Sequence, residues 1–76
     1  MAEVNRKYLT LIRDMIHHDD TWEKIYPVLR SYKYQGGCKQ MLEQMLREIA
    51  QDQLTSNQSH VLDQITSQAS GLWLAA

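Results

Sequence analysis

The sequence has a single cysteine, a single proline and, after Arg47, no lysine or arginine at all. With Cys38 alone, no disulfide can form within the chain, whereas secreted domains of this size usually carry an even cysteine framework. A lone thiol fits a reducing compartment, so the expected location is the cytoplasm. No run approaches the roughly 18 consecutive apolar residues of a membrane span. The first residues, MAEVNRKYLTLIRD, carry charges throughout and lack the apolar stretch of a signal peptide. No segment alternates with the period of a strand, and no internal repeat is present.

Catalytic signatures are missing too. Gly36-Gly37 lacks the flanking pattern of a phosphate-binding loop. No serine sits in a nucleophile elbow. A general acid or base needs a cleft with perturbed partners, and a helical chain this short has little room for one. The expectation is a protein that is not an enzyme and uses no cofactor and no small-molecule substrate. The net charge of −1 gives no global basic field for nucleic acid.

What is present is an ordinary globular composition. Of 76 residues, 43% are hydrophobic and 22% charged, which argues against disorder. The length allows one domain, residues 1–76. A domain this small hides only about 60% of the surface its unfolded chain exposes, and self-association is a common remedy. A homodimer is therefore expected.

Helical spacing dominates the chain. Val4, Tyr8, Leu11, Ile12, Met15 and Ile16 recur at three and four and predict a helix over 3–18, with Leu9 off the stripe. Trp22, Ile25, Tyr26, Leu29 and Tyr32 predict a second over 21–34, kinked or split at Pro27, and Gly36-Gly37 should end it. Cys38, Met41, Leu42, Met45, Leu46 and Ile49 form the seam of a third helix over 38–53. Val61, Leu62, Ile65 and Ala69 mark a fourth over 57–70, capped by Ser56 or Asn57. The fold class is all-α, a small bundle of three to four helices.

The stretch HHDD, residues 17–20, is the one place that looks like chemistry. Asp20-Thr21-Trp22-Glu23 has the form of a capping box, and the two histidines fall in the last turn of the first helix, where donors meet unpaired carbonyls. The four residues are then the corner between two helices. Asp14 and His18 share a helix face, and His60 could approach them, but two ligands are too few for a closed site, so no metal is expected. Cys38 follows two glycines near a helix start, where a thiolate is favoured; the preferred reading is a small buried apolar residue.

Protein binding is left as the expected function. The outer face of the fourth helix is polar but almost uncharged, so it can be desolvated without taking ions out of water. Methionines, tryptophans and tyrosines are residue types that form adaptable or anchoring contacts. Met41, Met45, Gln64, Gln68, Leu72 and Trp73 are the expected contact residues of a regulator or adaptor of bacterial or phage type. The runner-up is a small nucleic-acid-binding regulator using Arg30, Tyr32, Lys33 and Lys39, since tyrosines can stack on bases and cations hold phosphates. Against it, the fourth helix has no cation with which to read a groove.

The ending Leu74-Ala75-Ala76 resembles the end of the bacterial tag that marks stalled-translation products for proteolysis. The resemblance covers three residues and, if the end is exposed, implies a short-lived protein. The preferred reading is a packed end, because three large apolar residues in a row, Leu72 to Leu74, rarely stay in water.

Overall fold

The computed structural model describes residues 2–74 and consists of four helices: α1 (Ala2–His17), α2 (Trp22–Tyr34), α3 (Lys39–Ala50) and α4 (Ser56–Leu74). α1 and α4 each pack against all the other helices, while α2 and α3 flank them without meeting. The radius of gyration is 11.4 Å, matching the roughly 11.4 Å expected for a compact chain of this length. The accessible surface of 5101 Å² is close to the roughly 4,800 Å² of a folded monomer of this mass. No described helix is long and apolar enough to cross a membrane. Ala75 and Ala76, and with them the tag-like ending, lie outside the described residues.

Each helix sends one stripe inward. Tyr8, Ile12 and Ile16 come from α1; Ile25, Leu29 and Tyr32 from α2; Leu42, Met45, Leu46 and Ile49 from α3; and Leu62, Ile65, Ala69 and Leu72 from α4. Polar groups inside this core are paired. Tyr32 is fully buried and its hydroxyl donates to Asn5 Oδ1 at 2.6 Å, while Tyr8 Oη and Ser31 Oγ are 2.6 Å apart. The Tyr8 and Tyr32 rings meet edge to face at 5.3 Å, and Trp73 meets Tyr32 in the same way at 6.4 Å. Burial pushes the Tyr32 hydroxyl above its ordinary pKa, which keeps it a donor.

Several sequence expectations shift. At about 100° per residue, Leu11 lies some 100° from the centre of the α1 core face and Leu9 some 60°; Leu11 is accordingly 39% exposed and Leu9 packs on the core. Tyr26 also turns outward, 38% exposed, beside the buried Ile25. Cys38 does start α3, as its N-cap, but it is exposed rather than buried in the seam. α3 ends at Ala50, three residues early, which frees Asp52 for a tertiary contact. α2 runs as one helix through Pro27, so of the kink or split expected there the split after Tyr26 does not occur. Glu23, whose carbonyl the proline cannot serve, is exposed, and water can take that bond. α4 continues past residue 70 through Gly71 to Leu74.

Candidate functional site

Hydrogen bonds engage the side chains of His17, His18 and Asp19 in the histidine–aspartate corner. His18 Nδ1 faces the Asp14 carbonyl at 2.7 Å, the capping role expected of it. The aspartates do not start α2 as the capping box required. Asp19 instead ends α1 in the left-handed region, at φ 61°. Its amide bonds the Ile16 carbonyl and the Asp20 amide the Met15 carbonyl, both at 3.0 Å, the paired bonds of a Schellman stop. The α2 cap is Thr21, with extended backbone and no side-chain bond to the helix.

Gln58 locks this corner to α4. Although polar, it is 8% exposed and sits at the centre of the inner stripe. Its Oε1 accepts from the Thr55 amide at 3.0 Å, and Thr55 Oγ1 accepts from the Gln58 amide at 3.1 Å. That is a reciprocal capping box, which makes Thr55 the cap in place of Ser56 or Asn57. Gln58 Nε2 then donates to Asp19 Oδ1 at 3.1 Å. His17 is tied elsewhere: its Nε2 lies 3.0 Å from Asp52 Oδ2, which also accepts from Arg13 Nε at 2.9 Å. A carboxylate only accepts, so Nε2 carries the proton. His17 and Arg13 together hold the Asp52 carboxyl below the usual carboxylate range. A cavity of about 450 Å³ opens beside the corner, lined in part by Asp19, Asp20 and His60. Among the described residues no group of three or more His, Cys, Asp or Glu side chains is placed to hold a metal ion.

The nucleic-acid set does not assemble as expected. Tyr32 is fully buried and unavailable for stacking on bases. Lys33 Nζ donates to the Leu72 carbonyl near the end of α4, and Lys39 faces Glu43 at 4.0 Å. Arg30 is exposed and takes part in none of the ion pairs found among the described residues. The protein-contact set divides as well. Met45 and Leu72 belong to the core, Met41 and Trp73 are half-buried, and only Gln64 and Gln68 are exposed.

What the fold assembles instead is a stripe on α2. Tyr26, Arg30 and Tyr34 follow one another at the four-residue spacing, on the side away from Ile25, Leu29 and Tyr32. Tyr34 is 77% exposed. The Trp22 ring extends the stripe, 5.4 Å from Tyr26. Between α2 and α4 lies a groove of about 210 Å³ lined by Tyr26, Arg30, Lys33, Tyr34, Gly71 and Leu72. By helical geometry Gln64, Gln68 and Gly71 share one flank of α4. Leu72 of the expected protein-contact set thus lines this groove, with Arg30, Lys33 and Tyr34 from the basic-aromatic stretch of the nucleic-acid alternative, while Tyr26 and Gly71 belong to neither. The signal for the stripe was the spacing of Tyr26, Arg30 and Tyr34 opposite the aliphatic face. No family model matches this chain, and no curated protein or solved structure is significantly similar to it.

Proposed function

We propose that the protein is a non-catalytic binding module that engages a protein partner through the outer stripe of α2 and the adjoining flank of α4. The observation that carries this reading is the exposed Tyr26–Arg30–Tyr34 row beside Gly71. Tyrosine and arginine are the residue types that most often anchor protein interfaces. A solvated helix face has no need of two outward tyrosines, since each leaves apolar ring surface in water. The groove is smaller than the roughly 300–1,000 Å³ of small-molecule sites and suits one or two side chains of a partner. Phosphate tracking is the weaker alternative, because Lys33 and Lys39 are already engaged.

The test is affinity isolation with the full chain carrying Tyr34→Ala or Arg30→Ala, against Leu11→Ala as a control at another exposed apolar position. Circular dichroism confirms that all three variants stay folded. A partner held by wild type and Leu11→Ala but released by both stripe variants is the expected result. A partner held equally by all forms would refute the assignment of the surface.

A further inference from the structure

Charge around the groove is one-sided. From Lys24 to Leu42 the chain carries Lys24, Arg30, Lys33 and Lys39 and no aspartate or glutamate. α4 carries one charged residue, Asp63, eight positions before Gly71 and so about 12 Å away along the helix. Lys33 is held by the Leu72 carbonyl, at the negative end of the α4 dipole. Among the described residues Arg30 is left as a guanidinium with no anion of its own, between two tyrosines.

Gly71 points to the same place. Glycine inside a helix is unfavourable because it loses more backbone freedom on folding than any other residue. Packing within the chain does not require it, since a Cβ there would meet nothing within 4 Å. What its missing side chain keeps open is the wall of the groove.

We infer that this groove takes an acidic segment of a partner protein: a carboxylate pairs with Arg30 while a neighbouring large apolar side chain lies between Tyr26 and Tyr34 against Gly71. This rests on the protein-binding reading above. One free guanidinium matches one carboxylate, which it can hold through two parallel hydrogen bonds. A nucleic-acid strand would need a track of several free cations.

The experiment selects peptides from a displayed random library on the immobilised full chain and measures those enriched against wild type, Arg30→Glu, Tyr34→Ala and Gly71→Ala. Oligothymidylate serves as the nucleic-acid probe. The expected peptides carry Asp or Glu beside Leu, Phe or Trp, and weaken roughly tenfold on Arg30→Glu. Exchanging their acidic residue for Lys should restore binding to Arg30→Glu. Gly71→Ala should raise the Tm yet weaken binding. Peptides that need Tyr34 but ignore Arg30→Glu would overturn the acidic segment and leave the protein-binding face standing. If no enriched peptide weakens on any groove substitution, both fall. Arg30-dependent binding of oligothymidylate in the absence of such peptides overturns both in favour of nucleic acid.

Discussion

Gln58→Ala should be among the most damaging single polar substitutions in this chain. The residue closes the capping box with Thr55 and donates to Asp19, so truncation strips a partner from the Thr55 amide and from the Asp19 carboxylate together. Losing this half of the capping box costs about 1 kcal/mol, and the part-buried bonds from Gln58 Nε2 to Asp19 and to the His17 carbonyl about 0.5–1 kcal/mol each, for a sum of about 2–3 kcal/mol. Unfolding entropy near 2.1 cal/mol/K per residue converts this to a fall of roughly 12–19 °C in Tm. Gln58→Glu separates the hydrogen bonds from the shape. Its Oε1 still accepts from the Thr55 amide, but the other oxygen now faces Asp19 Oδ1, from which the amide nitrogen sits 3.1 Å away. Two carboxylates there raise the folded pKa of one above its unfolded value near 4.3. A raised pKa means that stability is present below the unfolded value and lost as pH rises through the folded one. The deficit of Gln58→Glu against wild type should thus be large at pH 7 and shrink toward pH 4. Urea unfolding at both pH values measures it. A cost below about 0.5 kcal/mol for Gln58→Ala, the size of a neutral surface change, or a pH-independent deficit for Gln58→Glu, would refute the corner as described.

Three further outcomes are expected. Gly37→Ala should destabilise by about 1–3 kcal/mol in urea melts, because its Cβ would overlap the buried Tyr32 ring, which Asn5 holds in place. Gly71→Ala should do the opposite, adding about 0.5–1 kcal/mol, since the site is open and alanine is the better helix former. Asp52→Asn should be less stable than wild type at neutral pH. The depressed Asp52 pKa, due first to His17 and then to Arg13, contributes stability above the unfolded value near 3.9 that is lost as pH falls through the folded one. Melting curves of the two proteins should therefore converge below about pH 4.

Much of the fold could be read from spacing, and the errors are errors of angle and register. Ile12 and Ile16, Leu42, Leu46 and Ile49, and Leu62 and Ile65 sit where a 3.6-residue period puts them, and Gly36 ends α2 at φ 93° as glycine allows. Leu9 and Leu11 were exchanged because both are leucine, and only packing shows which one turns inward. Asp19 hid its role because a left-handed Asp stop has no signature apart from an N-cap Asp. The Thr55–Gln58 box is written in the sequence as T-x-x-Q, beginning just before the equally cap-like Ser56 and Asn57. Tyr32 and Tyr34 look alike in composition, yet one is the buried hub of the aromatic cluster and the other the most exposed large apolar side chain described. The groove needed the relative placement of α2 and α4, which no local pattern carries.

The most direct measurement of the binding reading is site-specific photocrosslinking in the cells that make the protein. A photoreactive residue is placed at position 34 or 26 and, in control chains, at exposed positions 11 or 44. The expected result is one protein adduct from 34 and 26, absent from 11 and 44 and lost when Arg30→Glu is added. Adducts of equal yield from all four positions, or from 11 and 44 alone, would contradict the assignment of the α2–α4 face as the contact surface.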